Sequence, residues 1–143
     1  MIKTILSMLF CIVSAVALAG PLDEKKAEVH LKAIAAGDVE ALMADYADDA
    51  YMDWVGGPLD GRYHGKASIR EVWKKFAAAN DGQPRPAKVS KLSGYGNPKG
   101  MSLEAEGEYG GKTPLKAWHV MVYRDGMMTS ELWTIAPSIK VGD

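Results

Sequence analysis

The chain lacks the features that mark several common classes of protein. Only one of its 143 residues is a cysteine, Cys11, so the sequence offers no pair of cysteines for a disulfide. The net charge of −1 provides no excess of basic residues for contact with nucleic acid. No glycine-rich loop carries the lysine of a phosphate-binding site, and no serine stands in a Gly-x-Ser-x-Gly motif. We therefore expect no nucleic-acid partner and no cofactor.

Metal ligands are also sparse. The three histidines, His30, His64 and His119, do not have the spacing of a known ligand set, and no cysteine lies near them. We therefore expect no metal site.

The first 19 residues have the organisation of a secretory signal peptide. Lys3 supplies the positive charge, residues 5–18 are largely apolar, and Ala17-Leu18-Ala19 forms a small-residue cleavage site before Gly20. The apolar run is shorter than the roughly 20 residues that a membrane span needs, although an uncleaved anchor is the alternative. We expect residues 20–143 to form a single periplasmic or secreted domain with no stable membrane anchor after cleavage.

Hydrophobic spacing predicts three helices in the first part of this domain. A helical stripe ends at Gly37, and Asp38 caps a second helix immediately afterwards. A third helix follows Gly65. One face of that helix carries the clearest apolar stripe of the chain, which consists of Ile69, Val72, Trp73 and Phe76.

Strand patterns occupy the rest of the domain. Apolar residues alternate with polar ones over 50–55 and 62–64, and later over 87–95, 101–109, 115–124 and 127–135. Asp125-Gly126 between two apolar runs is a strong signal for a two-residue hairpin. The order predicts an α+β fold, in which a curved antiparallel sheet carries three helices over its concave face. Such a sheet leaves a pocket suited to a small apolar molecule.

Three stretches of the chain resemble a known superfamily. The segments AAGDVEALMADYADDAYMDWVGG, GRYHGKASIREVWKKF and HVMVYRDGMMTSELW are similar to nuclear transport factor 2-like proteins, and most of all to the SnoaL-like and ketosteroid isomerase-like members. The resemblance implies a cone-shaped half-barrel with an apolar cavity, often paired through its sheet as a homodimer. In isomerase members an aspartate on the first strand moves the proton, and a tyrosine and a second acid stabilise the enolate.

All three isomerase positions hold other residues in this chain. The position of the base is Trp54, that of the tyrosine is His30 and that of the second acid is Trp118. Strand alternation places Trp54 and Asp53 on opposite faces, and only a bulge or a one-residue deletion would turn Asp53 inward. If Trp118 faces the cavity, His119 faces away from it.

The remaining interior candidates are one acid and several large side chains. Glu131 shares a strand face with Trp133 and is a second carboxylate that can point inward. The catalytic candidates are therefore His30, Asp53 and Glu131. The residues expected to line the ligand pocket or to pack in the core are Tyr46, Met52, Trp54, Trp73, Phe76, Trp118 and Trp133.

Three functions are open at this level. The first is an exported protein that binds a small hydrophobic or aromatic molecule and lacks the steroid isomerase catalytic set. The second is a cofactor-independent isomerase, cyclase or dehydratase that uses His30, Asp53 or Glu131. The third is a dimeric protein-interaction module.

The ionisation of His30 bears on this choice. His30 lies on a buried stripe with Ala27, Leu31 and Ile34. Because burial disfavours the charged form, we expect a pKa below about 6.5 and a stability that decreases as the pH falls through that value. A carboxylate partner would raise the pKa instead, and would favour the enzyme.

Export is the first testable prediction. The mature protein is expected to begin at Gly20 and to be recovered from the periplasm or the medium. N-terminal sequencing of the fractionated protein measures both. Recovery of a cytoplasmic chain with Met1 intact would contradict it.

Overall fold

A computed structural model describes residues 21–90 and 92–142 of the chain. The predicted signal peptide, residues 1–19, lies outside these ranges. Within them, no helix is both long enough and apolar enough to cross a membrane.

The described part of the chain contains three helices and seven strands. The helices are α1 (Pro21–Ala36), α2 (Val39–Asp45) and α3 (Lys66–Ala78). The strands are β1 (Tyr46–Val55), β2 (Gly61–His64), β3 (Ala87–Val89), β4 (Ser93–Asn97), β5 (Gly100–Tyr109), β6 (Leu115–Arg124) and β7 (Met127–Ile135). The predicted α+β class is confirmed.

A tight junction joins the first two helices. Gly37 has a φ of 70°, and the N–H groups of Gly37 and Asp38 donate to the carbonyls of Ile34 and Ala33. This is the glycine-terminated ending of a helix. The side chain of Asp38 then accepts a hydrogen bond from the Ala41 N–H at 3.0 Å, which caps α2 as predicted.

The sheet is curved, open and mixed, with the order β2-β1-β7-β6-β5-β3, and β4 also pairs with β5. All pairs are antiparallel except β1 and β7, which are parallel. The expected purely antiparallel sheet is therefore wrong at this one pair. The predicted hairpin at Asp125-Gly126 is present, and both residues have positive φ values of 50° and 74°.

Two local boundaries differ from the prediction. The strand predicted over 50–55 begins earlier, at Tyr46, and its pairing with β7 is irregular between Tyr46 and Tyr51. The strand predicted over 87–95 is two strands, β3 and β4. The hydroxyl of Ser90 accepts from the Glu106 N–H at 2.8 Å, so a side chain replaces the backbone partner there.

The register arranges the side chains of the sheet in rows. On the inner face one row contains Trp54, Trp133, His119 and Ala105, and the next contains Met52, Glu131, Met121 and Leu103. These residues are nearly all fully buried beneath the helices. On the outer face the intervening row contains Asp53, Leu132, Val120 and Glu104.

Candidate functional site

Aromatic rings fill the space between the sheet and the helices. The rings of Trp54 and Trp133 are stacked with their centroids 4.6 Å apart, and Trp73 meets Trp133 edge-on at 5.3 Å. Phe76 and Tyr109 pack against Trp133 at 5.7 and 5.6 Å. Trp54, Trp73 and Trp133 are at most 3% exposed. The place where an isomerase-like chain would hold a base is therefore occupied by packed indole rings.

A single carboxylate lies under these rings. Glu131 is 1% exposed, and each of its oxygens is hydrogen-bonded. Oε1 accepts from the Trp133 indole N–H at 2.8 Å and lies 3.3 Å from Nε2 of His30. Oε2 accepts a short hydrogen bond from the Tyr46 hydroxyl. Tyr46 in turn accepts from the Trp73 indole N–H at 2.9 Å.

His30 lies between two carboxylates. Its Nε2 faces Glu131, and its Nδ1 lies 3.4 Å from Oδ2 of Asp45. The same Asp45 oxygen accepts a hydrogen bond of 2.6 Å from the Tyr123 hydroxyl. A protonated histidine has a donor on each nitrogen, so it fits this arrangement better than the neutral ring does.

The expected low pKa of His30 is wrong. Burial lowers its pKa, but the negative charge of Glu131 and the contact with Asp45 outweigh that effect and raise the pKa to about 9. The expectation considered the apolar stripe of α1 alone, whereas the two carboxylates come from α2 and β7. His30 is therefore a buried cation.

The pKa values of Glu131 and Tyr46 shift in opposite directions. Burial alone raises the pKa of Glu131, but the charge of His30 and the hydrogen bonds from His30 and Tyr46 bring it below its ordinary value. Burial and the charge of Glu131 raise the pKa of Tyr46 well above its ordinary value. Glu131 is therefore ionised and Tyr46 remains a donor to it.

The placement of Trp118 is a second correction. Alternation along β6 buries Ala117, His119 and Met121, while Trp118 is half-buried on the outer face of the sheet. His119 therefore occupies the inner face, where Trp118 was expected. The Tyr109 hydroxyl lies 3.2 Å from His119 Nε2, and burial lowers the pKa of His119 to about 4, so this second histidine is neutral.

Asp53 lies outside the aromatic interior. Its carboxylate forms two hydrogen bonds with Arg62, at 2.7 and 3.1 Å, across the β1–β2 pair. The irregularity of β1 lies before Tyr51, and from there to Val55 the inner face belongs to Met52 and Trp54. The structure therefore brings His30 and Glu131 together and places Asp53 on the other side of the sheet.

A pocket of about 490 Å³ opens at the end of the sheet where β1 and β7 finish. It lies between the loop after β1, the end of α3 and the start of β6. Its lining is mostly apolar and consists of Trp54, Gly57, Pro58, Leu59, Lys75, Phe76, Ala79, Arg85, Thr113, Pro114, Leu115 and Ile135. Among the predicted ligand-binding residues, only Trp54 and Phe76 reach it. Tyr46, Met52, Trp73 and Trp133 are buried in the core.

Neither region offers a set of metal ligands. In the described ranges no three His, Cys, Asp or Glu side chains are grouped so as to hold a metal ion. The interior network can hold a proton on His30 and a negative charge on Glu131. The pocket can surround an apolar ligand.

The sequence model of the SnoaL-like domain family matches residues 27–131 of the chain. This range covers most of the sequence, from α1 into β7, and the chain belongs to this family. No curated protein sequence matches the chain significantly.

Solved structures share the fold. A nuclear transport factor 2-like protein of unknown function from Pseudomonas putida KT2440 is 16% identical, with a TM-score of 0.68 over 81% of this chain and 92% of that chain. A ketosteroid isomerase-like protein from Erwinia carotovora atroseptica is 16% identical, with a TM-score of 0.61 over 80% and 93%. A proposed polyketide cyclase from Sinorhizobium meliloti is 16% identical, with a TM-score of 0.57 over 76% and 93%.

Several residues of the two regions were not among the sequence candidates. Asp45 and Tyr123 complete the surroundings of His30, and Lys75 and Arg85 line the pocket. The Gly and Pro residues around Arg85 indicated a loop, but nothing local indicated that its side chain is buried at 5% exposure.

The interior pair predicts a stability that decreases as the pH rises from about 6.5 to about 9. The pKa of His30 is about 9 in the folded chain and about 6.5 in the unfolded chain. The folded chain therefore binds more protons in this window, so the free energy of unfolding falls with pH, by an amount on the order of 2 kcal/mol. Urea unfolding across this pH range measures the slope.

Two variants test the assignment of this slope. His30→Gln is expected to abolish it. His119→Gln is expected to keep it, because His119 is neutral in the folded and the unfolded chain above about pH 7. The contribution of His119 has the opposite sign, since it is present above about pH 6.5 and is lost as the pH falls toward 4. A wild-type free energy of unfolding that stays level or rises between pH 6.5 and 9 would contradict a charged His30.

Proposed function

We propose that the protein binds a small hydrophobic or aromatic molecule in the pocket between Trp54 and Phe76, and that it does so without the catalytic set of a steroid isomerase. The observation that supports this most is the pocket itself, whose volume of about 490 Å³ is in the range of small-molecule sites. Its walls include two aromatic rings and the apolar side chains of Leu59, Leu115 and Ile135. An apolar ligand in this pocket would contact Trp54 and Phe76 and exclude water from these walls.

The deeper interior does not suit a ligand. The stacked pair of Trp54 and Trp133 fills the inner row of the sheet, and Glu131 lies behind it at 1% exposure. A ligand that reached Glu131 would have to displace packed indole rings, and the loss of their contacts opposes that movement. The ligand is therefore expected in the pocket, against Trp54 and Phe76 at the border of the aromatic cluster.

The enzyme alternative has one observation in its favour, the charged pair of His30 and Glu131. A histidine–carboxylate pair inside an apolar interior is a common proton-transfer unit. Here, however, both oxygens of Glu131 already accept hydrogen bonds from Trp133, Tyr46 and His30, so neither oxygen is left to contact a substrate. We therefore assign the pair to the stability of the fold and the pocket to binding.

The named neighbours are compatible with a small organic ligand. One is called ketosteroid isomerase-like and another is proposed to be a polyketide cyclase, and both names refer to small organic substrates. The similarity to these structures concerns the fold and assigns no role to any residue of this chain. We also propose that the mature protein acts in the periplasm or outside the cell.

We also propose that the outer face of the sheet, which carries Trp118, forms a homodimer interface. Val120, Val122 and Leu132 are half-buried on this outer face, and Val55 beside them is 48% exposed. Such a cluster of apolar side chains on an uncovered sheet face is typical of a protein–protein contact. This is the partner that we propose for the chain.

Ligand binding is tested with two naphthalene dyes, anionic 8-anilino-1-naphthalenesulfonate and neutral N-phenyl-1-naphthylamine. We expect at least one of them to bind the wild-type protein and to quench tryptophan fluorescence. Trp54→Ala is expected to weaken that binding at least about tenfold, because it removes one of the two aromatic side chains of the pocket wall, and to lower the free energy of unfolding by about 3–5 kcal/mol.

Two further variants control for this loss of stability. Trp54→Phe keeps most of the packing and should retain a cooperative melt while still weakening dye binding. Asp53→Asn changes the adjacent residue on the opposite face and should leave binding within about twofold of wild type. The proposal fails if neither dye binds the wild-type protein, or if Trp54 and Asp53 variants behave alike.

The dimer is tested by light scattering coupled to size-exclusion chromatography. We expect a dimer for the wild-type chain and a monomer for Val120→Glu, because the new carboxylate would be buried without a partner in the interface. Lys32→Glu introduces a carboxylate on the exposed side of α1 and should leave the dimer intact. A monomeric wild-type protein would overturn this part of the proposal.

A further inference from the structure

The charged side chains that line the pocket are both positive. Lys75 and Arg85 are the only ionisable residues in its lining. Asp60 belongs to the same loop as Pro58 and Leu59 but is outside the lining, and its carboxylate accepts a hydrogen bond of 2.7 Å from the Gly56 N–H. The pocket therefore combines apolar walls with two positive charges.

Arg85 is a buried cation with only neutral partners. Its guanidinium donates to the carbonyls of Gly110 and Thr113, each at 2.9 Å, and also to the Phe76 carbonyl and the Thr113 hydroxyl. It also lies over the Phe76 ring, 4.5 Å from its centroid. These contacts satisfy hydrogen bonds but do not supply a negative charge.

No carboxylate compensates this charge in the part of the chain that the structure describes. Burial lowers the pKa of Arg85, and no acidic side chain raises it again. Arginine nevertheless stays protonated in proteins. Buried charges are ordinarily paired, because an unpaired charge in a medium of low dielectric constant is unfavourable. The described lining of the pocket beside Phe76 therefore carries two positive charges and no negative one.

Lys75 places a second cation on the wall of the same pocket. It lies on the last turn of α3, next to Phe76, and its side chain is exposed. Within the described residues it forms no ion pair at 4 Å or less, whereas its neighbour Lys74 pairs with Glu71 at 2.9 Å. Lys74 is the main cause that lowers the pKa of Glu71, and the charge of Lys75 makes a smaller contribution. A flexible ammonium at the rim can contact an anionic group whose apolar body is inside the pocket.

From this arrangement we infer that the ligand is an amphipathic organic anion. Its aromatic or aliphatic body contacts Trp54 and Phe76, and its carboxylate or sulfonate lies near the positive charges of Lys75 and Arg85. The inference rests on the proposed ligand-binding function and specifies the chemical class of the ligand. The apolar body contributes by leaving water, and the anionic group supplies the negative charge that the chain does not provide.

The two naphthalene dyes test this class directly, because they share their ring systems and differ in the sulfonate. We expect the anionic dye to bind at least about fivefold more tightly than the neutral one at low salt. Raising the potassium chloride concentration should weaken binding of the anionic dye and leave the affinity for the neutral dye nearly unchanged, because salt screens exposed charges.

Lys75→Met and Lys74→Met form a matched pair of variants on α3. Lys75→Met approximately keeps the length of the side chain. It should weaken binding of the anionic dye about fivefold and leave the affinity for the neutral dye within about twofold of wild type. Lys74→Met should affect neither dye. Competition with 2-naphthoate against 2-naphthol repeats the comparison with a carboxylate in place of the sulfonate.

The outcomes separate the two proposals. If both dyes bind with equal affinity, or if Lys75→Met and Lys74→Met have the same effect, the anionic class is wrong while the binding function stands. If neither dye binds, the binding function fails, and the ligand class fails with it.

Discussion

A buried carboxylate organises the interior of this protein. Glu131 is placed on the inner face of the sheet by the register of β7, and an ionised acid there is tolerated only with strong partners. Those partners come from different elements, since His30 is on α1, Tyr46 begins β1 and Trp133 lies on β7. Trp73 of α3 reaches the same acid through Tyr46. One charge therefore links two helices to the neighbouring strands β1 and β7.

The aromatic cluster follows from the same rows of the sheet. Because Trp54, Trp133 and His119 are register neighbours, their rings meet on one face and fill the inner side of the sheet. His119 is neutral and His30 is charged, although both are fully buried. The difference is the presence of adjacent carboxylates, which only His30 has.

The pocket at the end of the sheet has a different character. Its aromatic walls continue the interior cluster outward, but the acids of the interior do not extend to it. Arg85 joins the loop after α3 to the loop between β5 and β6 through three hydrogen bonds to Gly110 and Thr113, and to α3 through the Phe76 carbonyl. No carboxylate of the described residues pairs with it. A structural arginine thus also sets the electrostatic preference of the neighbouring pocket.

The sequence by itself determined the class of fold, most of the helix and strand segments, and the separation of Trp54 from Asp53. Helical period, strand alternation and turn chemistry depend on residues that are close along the chain, so they can be predicted from the sequence. Only the tertiary structure decided that His30 is charged, that Trp118 faces outward and that β1 runs parallel to β7. His30 and Glu131 are 101 residues apart in sequence, and no local pattern specifies their contact. The charge on His30 depends on that contact, because electrostatic energy depends on distance in space and on burial.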